Sequence, residues 1–77
     1  MGLLNIIKKS KETDVTNFRD VYIYAKIGDK ITIKEDISNL SESEFKDLVD
    51  DLSFHCPCKV HKISHDSNYH IASLTKV

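Results

Sequence analysis

Residues 40–52 read LSESEFKDLVDDL, and this stretch predicts the central helix of the fold. Ser41 and Glu44 have the spacing of a capping box, in which each side chain bonds a free backbone N–H of the other. Four apolar residues then recur at the spacing of one helical face: Phe45, Leu48, Val49 and Leu52. We therefore expect a helix that packs this face on the rest of the protein and ends before Pro57, because the residue preceding a proline avoids helical geometry.

Most of the acidic side chains belong to the same part of the chain. Residues 35–51 carry seven Asp or Glu and one Lys, whereas the whole chain has a net charge of −1. Such a run is usually a solvated surface, but complementary charge also favours fast and specific association between proteins. We therefore predict a partner-binding face on the helix that consists of Glu42, Glu44, Asp47, Asp50 and Asp51.

Period-2 alternation of apolar residues predicts a first hairpin upstream of the helix. Val21–Ile27 and Ile31–Lys34 both alternate apolar with polar or aromatic residues, which is typical of a strand with one buried face. Gly28, which tolerates positive φ, lies between them. A three-residue loop over 28–30 would pair the apolar residues of the two strands on one face, so we favour that register.

A second hairpin is predicted downstream of Pro57. Lys59–His65 and Tyr69–Lys76 have strand character and flank a turn-forming Asp-Ser-Asn tripeptide. The alternation is weaker here, since Val60 and Ile63 have opposite parity in the sequence. If the loop contains an even number of residues, the histidines at the two strand ends face each other across this hairpin.

Together these elements predict an α+β fold, an antiparallel four-stranded sheet of two hairpins with one principal helix packed on one face. The predicted order is α-β-β-α-β-β. Residues 1–16 would form a short N-terminal helix over Gly2–Lys11 and a polar connector, and residues 17–77 would form the ββαββ core.

Size and composition favour a binding protein over an enzyme. The chain has 77 residues, 40% of them apolar and 30% charged, and a domain of this length buries only about 60% of its unfolded surface. Little of such a core is available for a deep catalytic pocket that excludes water. No apolar run approaches the roughly 20 residues of a membrane-spanning helix. We see no secretory signal and expect a cytoplasmic protein.

Two features of the composition leave the mode of association open. Residues 2–11 contain an apolar set followed by three lysines, a pattern that gives weak contact with a membrane surface. Homodimerisation is also open, because it would enlarge a small core.

A cluster of cysteines and histidines follows the helix and is a candidate metal site. Nitrogen and sulfur ligands suit zinc. The Cys-Pro-Cys spacing differs from that of recognised zinc modules, in which two to four residues separate paired cysteines. The candidate ligands are Cys56, Cys58, His61, His65 and His70.

The same two cysteines could instead form a redox pair. A disulfide between residues two positions apart closes a small strained ring, and strained bridges are the labile, regulatory kind. Their position after a helix C-terminus opposes this role, because the negative end of the helix dipole disfavours a thiolate.

Tyr22 and Tyr24 suggest a further alternative. On one face of a strand, with lysines nearby, they would form a stacking platform for single-stranded nucleic acid. The net charge of −1 argues against a general attraction for phosphate. The sequence as a whole therefore predicts a non-enzymatic regulatory or protein-protein interaction domain, with a metal- or thiol-responsive module and nucleic-acid binding as the alternatives.

Overall fold

The computed structural model of the protein describes residues 11–77. It contains two helices and one mixed sheet of four strands, whose spatial order is β1-β2-β4-β3. The elements in chain order are β1 (Lys11–Thr13), α1 (Phe18–Tyr24), β2 (Lys30–Asp36), α2 (Glu42–His55), β3 (Cys58–His65) and β4 (Tyr69–Lys76).

The fold has two layers, because both helices pack on the same face of the sheet. Helix α1 contacts β1 and β2, and helix α2 contacts β3 and β4. Strand register brings the buried side chains of the central strands to this face, with Ile31 beside Leu74 and Ile33 beside Ala72. The core lies between the layers and consists of Phe18, Ala25, Ile31, Ile33, Phe45, Val49, Cys56, Ala72 and Leu74.

Helix α2 confirms the expectation for residues 40–52. The Ser41 hydroxyl accepts the Glu44 N–H at 3.2 Å, and the Glu44 carboxylate accepts the Ser41 N–H at 2.8 Å, which completes the capping box. Phe45 and Val49 are fully buried, while Leu48 lies at the edge of the apolar stripe. The helix continues past Leu52 to His55.

The predicted strand over residues 21–27 is wrong, because most of this segment belongs to helix α1. Phe18, Val21, Tyr22 and Ala25 recur at i, i+3, i+4 and i+7, so the segment satisfies a helical period as well as a period of two. The helical arrangement prevails because it adds the fully buried Phe18 to the core and packs Val21 and Tyr22 against it. It leaves Tyr24 84% exposed.

The sheet differs from the prediction for the same reason. With no strand at 21–27, the first hairpin is absent from residues 11–77, and β1 joins the sheet beside β2 in parallel. The sheet is therefore mixed, and the order of the described elements is β-α-β-α-β-β. β1 occupies part of the predicted connector. The predicted helix over Gly2–Lys11 lies outside the described residues except for Lys11, which begins β1.

Gly28 has the positive φ expected from the sequence, at 95°, but its turn joins a helix to a strand. The Gly28 N–H donates to the Lys76 carbonyl at 2.8 Å, and the Lys76 N–H donates to the Asp29 carbonyl at 3.0 Å. The turn thus fastens the end of β4 to the start of β2. Among residues 11–77 no helix is both long and apolar enough to cross a membrane.

The second hairpin is confirmed, and a β-bulge explains its weak alternation. Val60 is opposite Leu74 and Lys62 is opposite Ser73, so His61 is an extra residue in β3. The extra residue puts Val60 and Ile63 on the same, helix-covered face despite their opposite parity.

We predict that deletion of His61 is tolerated. The deletion leaves Lys59, Val60, Lys62 and Ile63 in regular alternation, so every buried side chain keeps its face of the sheet. The free energy of unfolding, measured by urea denaturation, should change by less than about 1 kcal/mol, as for changes away from a core.

Deletion of Ser73 from β4 is the matched control. It moves one part of the central strand to the wrong face, because a slip of one residue reverses every side chain. We expect this variant to be unfolded by circular dichroism. Equal tolerance of both deletions would contradict the assignment of the bulge.

Candidate functional site: the acidic face of helix α2

The outward side of helix α2 is acidic along its length. At 3.6 residues per turn, Asp47, Asp50 and Asp51 lie on the side opposite Phe45 and Val49. All five predicted carboxylates are exposed: Glu42, Glu44, Asp47, Asp50 and Asp51. We call the outward surface made by Glu44, Asp47, Asp50, Asp51 and Phe54 the acidic face.

Phe54 is a member of this face that the sequence analysis missed. Its side chain is 78% exposed, and its ring contacts that of His55 edge-on at a centroid distance of 5.2 Å. Phe54 follows Asp47 by seven residues and Asp50 by four, so it lies on the same ridge of the helix. The sequence contains one signal for this position. Phe54 follows Phe45 by nine residues, or two and a half turns, which puts it on the side of the helix opposite the buried Phe45.

Glu42 is separated from the rest of the predicted set. It lies to one side of the helix and lines a shallow hollow with Leu40, His65 and His70. The structure thus brings together four of the five predicted carboxylates. Glu42 belongs to a different surface.

Local interactions fix the charges at the two ends of the face. Two hydrogen bonds with Ser41, the stronger one from its backbone N–H, hold the pKa of Glu44 below its usual range. This carboxylate also lies in the first turn, where the helix dipole favours negative charge. At the other end, the Nε2 atom of His55 is 3.4 Å from an Asp51 carboxylate oxygen. Glu44 therefore stays ionised at neutral pH.

The two histidines of the β3–β4 hairpin face each other, because an even number of residues, 66–69, separates them. His65 pairs with His70 in the strand register, and their ring centroids are 6.3 Å apart. His70 is 3% exposed, its Nε2 donates to the Leu40 carbonyl at 2.8 Å, and its ring stacks on Phe45 at 5.1 Å. His70 thus ties the hairpin to the start of α2.

Cys56 and Cys58 are free thiols at the other end of β3. The Tyr22 hydroxyl donates to the Pro57 carbonyl at 3.1 Å, so α1 covers this corner. Burial, and then the neighbouring Cys56, raise the pKa of the Cys58 thiol above its ordinary value. A raised pKa lowers the thiolate fraction, and the thiolate is the form that reacts and binds metals.

The five predicted metal ligands do not converge in this structure. Cys58 and His65 are at opposite ends of β3, about 20 Å apart at the rise of a strand. His61 is directed elsewhere, with its Nε2 2.7 Å from the Thr75 hydroxyl. Residues 11–77 contain no group of three or more His, Cys, Asp or Glu that could hold a metal ion. Zinc binding stays a prediction from sequence.

The Tyr22 and Tyr24 platform is corrected by the fold, because both residues lie on helix α1 and not on a sheet face. Tyr22 packs against the core, and its ring is covered by the Lys76 ammonium at 4.3 Å. Tyr24 points into solvent. The two rings do not form a shared stacking surface on the sheet.

Comparisons of the chain with protein-family models, curated proteins and solved structures find no match. The functional argument therefore depends on the geometry and charge of the described residues.

We predict that Cys58 alkylates slowly at neutral pH. In a Cys56→Ala variant, which leaves Cys58 as the single thiol, iodoacetamide should react more slowly than with N-acetylcysteine. The pH profile of the rate should also be displaced upwards, because burial, the larger cause of the raised pKa, remains. The rate is measured by mass spectrometry between pH 7 and 10.

The same variant in 6 M urea is the control, and there the rate should match that of the free thiol. A folded protein that alkylates faster than N-acetylcysteine would contradict the raised pKa and would favour the redox alternative.

Proposed function

We propose that the protein is a small regulatory domain that docks on a larger protein through the acidic face of helix α2. The observation that carries this proposal is the exposed Phe54 on a ridge of aspartates. Ile23, Tyr24 and Ile27 are exposed as well, so the proposal rests on the combination of the Phe54 ring with the surrounding aspartates and not on the exposure of the ring alone.

The two kinds of side chain on the acidic face support different parts of binding. Exposed aromatic residues are enriched among the few side chains that dominate binding energy, because a partner's pocket desolvates a large rigid ring. The surrounding carboxylates steer the encounter and set its orientation. The arrangement suits a partner that presents a basic surface around an apolar pocket.

The helix supports this role because it is rigid before binding. Its first turn is closed by the capping box, and its inward side is held by Phe45 and Val49. An interface presented on an ordered element loses less conformational entropy on association than one presented on a mobile loop. More of the binding energy of Phe54 then contributes to affinity, because little of it offsets the ordering of the helix.

The partner can be identified and the proposal tested with one series of variants. A photo-crosslinking benzophenone residue in place of Phe54 marks the protein that contacts this position in host lysate. With that partner purified, Phe54→Ser should raise Kd about 30-fold or more, corresponding to loss of a contact of about 2 kcal/mol. The measurement is biolayer interferometry.

Charge reversal tests the electrostatic part separately. Asp47→Lys with Asp50→Lys should lower the association rate by about tenfold at low salt and reduce its salt dependence. The matched control is Glu12→Lys with Asp20→Lys, which makes the same change in net charge on other exposed positions. Unchanged binding by the Asp47 and Asp50 variant, or equal losses in both variants, would overturn the proposal.

A further inference from the structure

The face of the sheet opposite the helices is uncovered by any other element of residues 11–77. Strand register alternates polar side chains onto it. We call this surface the open sheet face. It consists of the outward side chains of β2, β4 and β3, and its charged members are Lys30, Lys34 and Asp36 of β2 and Lys59 and Lys62 of β3.

The lysines of this face stand on both sides of the central strand β4. Thr75 pairs with Lys30 on one side and with Lys59 on the other, and Lys62 pairs with Ser73. The two columns are separated by two strand spacings, or about 10 Å. Ser73 and Thr75 lie between them, followed by Ile71 further along β4, and the Thr75 hydroxyl is 2.7 Å from the Nε2 of His61. The surface is a shallow trough with positively charged margins.

The bulge in β3 creates one of these margins. Lys59 and Lys62 are three residues apart and would face opposite sides of a regular strand. The extra residue His61 puts both on the open sheet face. The same feature that completes the core therefore also concentrates positive charge outside it.

An aromatic ring lies at one end of the trough. Tyr69 is 38% exposed, and the Lys34 ammonium is 4.6 Å from its ring centroid. An aromatic surface and a positive charge side by side match the two parts of a nucleotide, since bases stack on aromatic rings and phosphates pair with lysine.

The acidic side chains do not cancel this positive surface. Glu12 on β1 pairs with Thr32, and Asp36 pairs with Tyr69 two residues beyond Lys34 in the β2 column, whereas Lys59 and Lys62 on the β3 side pair with Thr75 and Ser73, so the β3 side of the surface stays positive. The acidic face is on the far side of the sheet and beyond helix α2, which is itself about 10 Å across. This separation exceeds the Debye length of about 8 Å at physiological salt. The net charge of −1 therefore does not describe the local charge of either surface.

We propose that the open sheet face binds single-stranded RNA. Its lysine columns can follow a sugar-phosphate backbone, and its hydroxyls can hydrogen-bond 2′-hydroxyl groups, which distinguish RNA from DNA. A four-stranded face does not enter the major groove of a duplex, which admits a helix or a two-stranded ribbon. Bases of a single strand can stack on Tyr69 when the Lys34 ammonium moves from the ring to a phosphate.

The experiment is fluorescence anisotropy of the full chain with fluorescein-labelled rU12. Binding should weaken with salt, with a log-log slope of about −2 to −3 for three to four phosphate contacts. Lys59→Gln with Lys62→Gln should weaken binding about tenfold and reduce the slope by about 1.4, which corresponds to two lost contacts. Tyr69→Ala should weaken binding with little change in slope, because stacking carries no charge.

Matched controls are Lys26→Gln with Lys46→Gln, which removes two exposed lysines elsewhere, and Tyr24→Ala on helix α1. Circular dichroism checks that each variant is folded. Absence of rU12 binding, or equal losses in the controls, overturns the proposal. Equal affinity for dT12 overturns the assignment to RNA, and displacement of rU12 by an equal concentration of a poly-glutamate peptide would assign the face to an acidic protein instead.

Discussion

Burial of the apolar stripe of helix α2 against the sheet is the contact on which the rest of the structure depends. Phe45 and Val49 are excluded from water together with Ile31, Ile33, Ala72 and Leu74 of the two central strands. Residues from three elements meet at this point, so the packing sets the position of the helix and the orientation of the sheet together. The packing also determines which side of α2 faces solvent, and this solvent-exposed side is the acidic face.

The parts of the fold that the sequence predicts are those in which one local signal has no competitor. Ser41 and Glu44 mark the start of α2, and no other register satisfies both side chains. Residues 18–25 fail this condition, because β-branched and aromatic residues there fit a strand as well as a helix. Phe18 decides between the two, but its burial depends on neighbours distant in the chain. Three-residue β1 carries no local pattern and exists only through its pairing with β2.

The candidate site likewise has a part that the sequence predicts and a part that it does not. The position of Asp47, Asp50 and Asp51 on one outward side follows from helical geometry alone. Phe54 was missed because the acidic face was defined by its carboxylates alone, although the last turn of the helix, which ends at His55, carries Phe54 on the same side. The open sheet face required the bulge at His61, since sequence parity assigns Lys59 and Lys62 to opposite sides. The opposite parity of Val60 and Ile63 was the mark of a bulge in the sequence, but only the cross-strand pairing shows that the extra residue is His61.

Among residues 11–77, the lysines of the open sheet face and the carboxylates of the acidic face lie on opposite sides of the fold and form an electric dipole across the sheet. The electric field of another macromolecule orients such a protein before contact, so one particular surface faces the partner when the two meet. The two ends of the dipole are separated by packed side chains and not by a flexible hinge. Under the two proposals, the domain would therefore hold a nucleic acid and a protein at a fixed mutual distance, as a spacer between them.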